Sequence, residues 1–294
     1  MKYSPAELSY LKESLKASPP IRPDARLETQ LRPIEAISNI LPTANGSARI
    51  RASDGGECIV GVKAKVVPTS STSELINVDV EISGLKENNS LASTLSSIFQ
   101  STLNSSQSLR QRLKLTSRFS FKLFIDVLVL SNQSHPLGLV SLTIYLALLS
   151  TKLPLLTSST DDSKAEEVPV FHDDWDQARP LCDIPVTQSD SSKKSDSHWT
   201  PPLILLMAVV GENIFIDPTN AEEQVASTGL FISWSNGSIS APLRTLDIGS
   251  TDPQGISSTV LSKAYSIVEQ CGQEISDSLT AVYVQDEDAS SSDF

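Results

Sequence analysis

The chain is poor in the residue types that usually announce a site. Its three cysteines, Cys58, Cys182 and Cys271, are an odd number without C-x-x-C spacing or a nearby histidine cluster. They supply neither a disulfide framework nor a zinc-ligand set. A reducing compartment is expected, with Cys58 and Cys271 as small buried apolar residues. Histidine is equally scarce: His135, His172 and His198 lie far apart in loop-like stretches, each expected to be solvated. There is no phosphate loop of the G-x-x-x-x-G-K type, no G-x-S-x-G elbow and no H-E-x-x-H, which sets aside P-loop nucleotide hydrolysis and zinc proteolysis. Neither a metal nor a cofactor is expected. Long apolar runs are missing too. The stretches Phe124 to Leu130 and Leu203 to Val210 have strand length, short of the roughly 20 residues of a membrane helix. The opening MKYSPAELSYLKESLK reads as a polar helix rather than a secretory leader.

Positive charge is also in deficit, with 35 acidic residues against 23 Lys and Arg, a net charge of -12. Phosphate contacts need Lys and Arg, so the distribution matters. Residues 158–200 hold ten acids and four bases, and residues 284–294 hold four acids and no base, which leaves about -2 for the remainder. The acidity therefore sits in a loop and a tail, and neither supports nor opposes RNA contact elsewhere. With 39% hydrophobic and 20% charged residues in 294, the composition is that of an ordinary folded chain.

What is present is periodicity. Ser4-Pro5-Ala6-Glu7 is a capping box with proline at the first helical position, predicting a helix over about 5–16, stopped by Pro19, Pro20 and Pro23. From Arg32 to Gly84 the pattern is that of strands, read as an antiparallel meander with a hairpin at Asp54-Gly55-Gly56. Leu91, Leu95, Ile98, Phe99 and Leu103 line one face of a helix over about 90–104. FKLFIDVLVL is apolar at nearly every position and is expected to be a central strand covered on both faces. Leu139, Val140, Thr143, Ile144, Ala147 and Leu148 mark another helix. Residues 156–200 turn polar, like a solvated insertion, in which Phe171 and Trp175 could pin part of the loop to the core. Strands at PPLILLMAVV, NIFIDP, GLFISWS and SISAPLRTL follow, with a short acidic helix near Ala221 to Ala226 and a last helix running from Val260 to Leu279. Two successive units of strands then helices make an α+β fold with internal pseudo-repetition.

The segment Arg22-Pro23-Asp24-Ala25-Arg26, continued by RPIEAISNILPTANGSARIRASDGGECIVGVKAKV, resembles the RNase PH family, as do LFIDVLVLSNQSHPLGLVSLTIYLALLST, FHDDWD, GENIFIDPTNAEE and GLFISWSNGSI. The resemblance covers about residues 5–280, and it is to those members of the family that form the ring of the RNA exosome. It implies an RNase PH-like domain of two pseudo-repeated β-α units over 21–283, with a low-complexity insertion at about 156–200. An N-terminal helix and linker over 1–20 and an acidic disordered tail over 284–294 flank it. The ancestral activity it implies is attack of inorganic phosphate on the 3′ end of RNA. Such chemistry needs backbone N–H groups and a cation aimed at the anion, with a carboxyl group to help the leaving oxygen.

Active members carry a G-G-T-R-like run between the central strand and the next helix. The corresponding residues here are Ser134, His135, Pro136 and Leu137. Leucine lacks the guanidinium fork, and proline lacks a backbone donor. The acidic motif survives as Asp217, Glu222 and Glu223, where the two glutamates are expected to complement a helix N-terminus. Basic residues that related archaeal subunits carry on the first long helix are replaced by Ser101 and Asn104, and Pro68 to Glu74 holds no Lys or Arg. Arg110, Arg112, Lys114 and Arg118 remain as candidates for RNA or subunit contact, without the aromatic interleaving of single-strand binders.

The resemblance thus implies a non-catalytic structural subunit that pairs with other RNase PH-type subunits in a six-membered ring. RNA-binding cap subunits and a separate hydrolytic nuclease would complete the assembly, with RNA threading the pore and no membrane involved. Nucleus, nucleolus and cytoplasm are the expected locations. The rival reading is an active phosphorolytic 3′→5′ exoribonuclease, supported by the fold and by Asp217 with Glu223.

Overall fold

A computed structural model describes residues 3–70, 74–86, 89–157, 169–184, 199–248 and 255–291. Helix α1 spans Pro5–Lys16 and begins at the expected box, with the Ser4 amide donating to Glu7 at 2.6 Å and the Glu7 amide donating to Ser4 Oγ at 3.3 Å. Strands β1 (Ile34–Ser38), β2 (Gly46–Ala52) and β3 (Glu57–Pro68) form an antiparallel run. The fourth strand departs from the expected meander. β4 (Ile76–Ile82) leaves β3 and lies at the sheet edge, parallel to β5 (Phe119–Ser131), which is inserted between them to give the order β1-β2-β3-β5-β4. Parallel neighbours need a crossover, and α2 (Ser90–Ser105) with α3 (Gln107–Arg112) supplies it. The predicted apolar face of α2 is buried, with Leu95, Ile98, Phe99 and Leu103 at most 5% exposed.

β5 is central but not covered on both faces. Leu123, Ile125, Val127 and Val129 are buried, in register with Ile76, Val78, Val80 and Ile82 on one side and Val62, Val60 and Cys58 on the other. The opposite face of the sheet is open and carries Asp126, Leu128 and Leu130, the two leucines at 37% and 39% exposure. A continuous apolar run cannot by itself distinguish a strand buried twice from one whose second face awaits a partner.

Helix α4 (Leu137–Leu149) is apolar all round and buried at nearly every position, as expected of a helix enclosed on all sides. It packs on β2 and β3 and, on its other side, on the strand Leu203–Val210, where the Ile204 amide donates to Ser141 Oγ at 2.7 Å. Then come β6 (Lys152–Leu153) and β7 (Arg179–Pro180), which pair with each other. The second sheet has four strands in the order β11-β10-β8-β9: β8 (Leu203–Val210), β9 (Asn213–Ile216), β10 (Thr228–Ser235) and β11 (Ser238–Leu246), with α5 (Asn220–Val225) between β9 and β10. Helix α6 (Ser258–Ser291) buries Val260, Ala264, Ile267, Val268, Cys271, Ile275 and Leu279, as its spacing predicts.

α6 runs over Ser258–Ser291, so the stretch expected to be a disordered tail from 284 is helical to 291. No Gly or Pro falls after Gly272, and a formed helix extends more cheaply than it starts. The insertion is pinned, by one of the two residues expected to do so. Phe171 packs on Phe121 with ring centroids 5.8 Å apart, whereas Trp175 is 49% exposed. Leu181, Cys182 and Trp199 do the rest, each at most 4% exposed. The stretch Thr187 to Ser197, expected to be dispensable for folding, and His198 lie outside the described residues.

Candidate functional site

The residues singled out in the loop before α4 and in the acidic motif after β9 come together. Asp217 follows β9 directly with φ 51, a left-handed conformation that aspartate tolerates better than most residues. Its carboxyl is gripped by Arg32. Oδ1 accepts from Arg32 Nη2 at 2.6 Å, and Oδ2 accepts from the Arg32 amide at 2.8 Å and from its Nε at 2.9 Å, with Arg26 Nη1 at 3.2 Å. Burial pushes the Asp217 carboxyl up, but these bonds and charges outweigh it and hold it below the usual carboxylate range. Arg32 Nη1 turns the other way, donating to Ser134 Oγ at 2.9 Å and to Asp54. One guanidinium therefore ties the β2–β3 turn, the loop before α4 and the segment after β9 to one another.

Positions 135 to 137 of the loop offer an anion no uncommitted backbone donor. The His135 amide donates to Glu223 Oε1 at 2.7 Å. Pro136 has no amide hydrogen. The Leu137 amide donates to His135 Nδ1 at 3.3 Å. His135 is not solvated as expected: burial pulls its imidazole down to about 4, and Nε2 is buried without a hydrogen-bond partner among the described residues. Burial likewise pushes the Glu223 carboxyl up to about 8, against the His135 bond and the Arg32 charge. His172 is exposed, as expected, and all three cysteines are buried.

The two glutamates divide the work. Glu222 Oε2 accepts the Thr219 amide at 2.8 Å at the start of α5, the helix-capping role expected of it. It also forms a buried bidentate pair with Arg22, Nε to Oε1 at 2.7 Å and Nη2 to Oε2 at 2.8 Å. Glu223 serves the loop before α4 instead. Sequence reasoning gave no side-chain role to Arg22, Arg26, Arg32 or Asp54. Their partners lie up to 200 residues away, and no local periodicity signals such a pairing.

The basic run does not stay together. Arg112 is buried, donating from Nη1 to the Cys182 carbonyl at 2.9 Å and to the Ile184 carbonyl, with its guanidinium 5.5 Å from the Trp199 ring centroid. It clamps the insertion and is withdrawn from any contact surface. Arg110, Lys114 and Arg118 are exposed. Among the described residues no helix is long and apolar enough to cross a membrane, and no His, Cys, Asp and Glu cluster could hold a metal ion.

A five-stranded and a four-stranded sheet joined through a buried helix, with a loop and an acidic motif meeting beside that helix, define a class. The 3′ exoribonuclease family, domain 1 (RNase PH), matches residues 30–154. The archaeal exosome core shares the fold with a TM-score of 0.67 at 17% identity, covering 94% of this chain and 96% of the other. The chain belongs to the RNase PH family. Within it, the chain is 42% identical over 280 residues to exosome complex component RRP42 of Saccharomyces cerevisiae, covering 95% of this chain and 99% of that protein. It is 30% identical over 244 residues to exosome complex component rrp42 of Schizosaccharomyces pombe, covering 77% and 76%.

Proposed function

We propose that this chain is a non-catalytic ring subunit of the RNA exosome core, one that supports 3′→5′ RNA processing and decay by threading RNA to a separate nuclease. The observation that carries the loss of catalysis is the engagement of the loop before α4. The His135 amide is held by Glu223, Pro136 has none, the Leu137 amide is held by the His135 ring, and leucine stands where the anion-binding fork is needed. Arg32 does not replace that fork, because Asp217 and Asp54 already neutralise it. An attacking phosphate would have to displace a carboxyl group and separate a partly buried ion pair, each at a cost of several kcal/mol.

The exosome assignment rests on similarity to RRP42 along nearly the whole chain. The open sheet face with Leu128, Leu130 and Ile37 supports a subunit with a neighbour, since apolar residues grouped on one face mark an interaction surface. Its partners are other RNase PH-type ring subunits, RNA-binding cap subunits and the hydrolytic nuclease. Its compartments are nucleus, nucleolus and cytoplasm. The test of the catalytic half is incubation of the purified chain with single-stranded RNA and inorganic phosphate. No nucleoside diphosphate is expected. Phosphate-dependent release that Asp217→Ala abolishes would establish the chain as an active phosphorolytic exoribonuclease instead.

A further inference from the structure

Among the described residues β4 is a free sheet edge, paired only with β5, and its backbone directions follow from two bonds to that neighbour. The Leu123 amide donates to the Leu75 carbonyl and the Ser83 amide to the Val129 carbonyl, each at 2.8 Å. Positions 75 and 83 thus turn their backbones toward β5. With the period of two of a strand, Ile76, Val78, Val80 and Ile82 turn theirs away. The Ile76 carbonyl is taken by Asn104 Nδ2 at 3.0 Å. Among the described residues nothing pairs with Val78 or Val80 on that side. Folded proteins usually protect such an edge with lysine, proline, a bulge or a covering element. β4 has no lysine, no proline and no register shift.

The edge borders a groove of about 690 Å³ between β4 and α2. One wall carries Glu74, Asn77, Val78 and Asp79, and the other carries the hydroxyl and amide side chains of α2, from Ser93 to Asn104. None of its lining residues is Lys or Arg, and Asp79 and Glu81 stand exposed along the strand.

We infer that this groove binds an extended, basic segment of another protein, which adds a strand to the sheet at β4. Strand addition draws affinity from the main chain and selectivity from alternate side chains. Main-chain bonds would form at Val78 and Val80. Alternate lysines or arginines of the incoming strand would face Asp79 and Glu81, and the intervening small side chains would lie along the serines of α2. Opposite charges on neighbouring strands stabilise the pairing, and like charges oppose it.

The probe is a fluorescent octapeptide of alternating Lys and Thr, titrated by anisotropy into the full chain in the soluble form in which it purifies. Its acidic counterpart, with Glu for Lys, and a version N-methylated at alternate amides serve as controls. Saturable binding is expected, at least tenfold weaker for both controls and at least tenfold weaker in an Asp79→Lys/Glu81→Lys variant. Both substituted residues are exposed, so a thermal melt can confirm that the variant is folded. Equal binding of the N-methylated peptide would show attraction by charge alone and overturn the strand addition. Absence of saturable binding would overturn it too, as would displacement of the peptide by single-stranded RNA. Ring membership is read separately by co-purification, so either reading can fail without the other.

Discussion

The Glu223 carboxyl accepts the backbone N–H of His135 at 2.7 Å, across 88 positions of sequence. The loop entering α4 is thereby closed on a group of its own chain, in a pocket dry enough to push that carboxyl up to about 8.

A pH dependence follows from this pair. With a folded value near 8 against an ordinary 4.5, the native state keeps a proton that the unfolded chain gives up, so the stability Glu223 contributes is complete below about pH 4.5 and is lost as pH rises toward 8. Glu223→Gln keeps an acceptor for His135 and removes the titration. In denaturant melts the variant should gain on the wild type between pH 5 and pH 8, by on the order of 3 kcal/mol. A difference that stays flat over that range would contradict the assignment.

The split of the basic run gives a second expectation. Arg112→Ala removes two charge-assisted bonds to carbonyls and the cation above Trp199, worth about 3 kcal/mol together. The melting temperature should fall by about 6 to 12 °C. Arg110→Ala, Lys114→Ala and Arg118→Ala should each stay within about 0.5 kcal/mol, as exposed substitutions usually do.

The ion pair of Arg22 and Glu222, with side chains 1% and 0% exposed, should respond asymmetrically. Arg22→Met or Glu222→Met alone leaves a buried charge without its partner and should cost roughly 3 to 5 kcal/mol, whereas the double variant should recover most of that loss. A double-mutant cycle by urea denaturation checks it. Additive losses would show that the pair is not coupled.

Ala25 occupies the left-handed region with φ 60, where an L side chain is strained and glycine is not. Ala25→Gly should therefore raise stability by about 1 kcal/mol despite the greater freedom it gives the unfolded chain. A loss of stability in the same melt would mean that the strain is not there.

The sequence made the elements legible where a period or a punctuating residue was strong. The capping box at Ser4, the apolar stripe of α2 and the buried positions of α6 all lie where spacing placed them. It misplaced what depends on distant pairing. Alternation identifies β4 as a strand but cannot say that β5 will slip between it and β3. The apolar run of β5 reads the same whether its second face meets a helix or is left open. At the site, Ser134 to Leu137 and Asp217 to Glu223 could be marked because the family motif names them. Their arginine partners sit in a proline-rich N-terminal segment with no periodicity, and only folding brings Arg22, Arg26 and Arg32 to them.

The chain, co-expressed with an RNase PH-type exosome subunit and analysed by size-exclusion chromatography with light scattering, should elute as a soluble heterodimer. Expressed alone, it should tend to aggregate or be degraded, because the open face of the five-stranded sheet exposes apolar residues that want a partner. A stable, soluble monomer that ignores every exosome subunit offered to it would contradict the assignment.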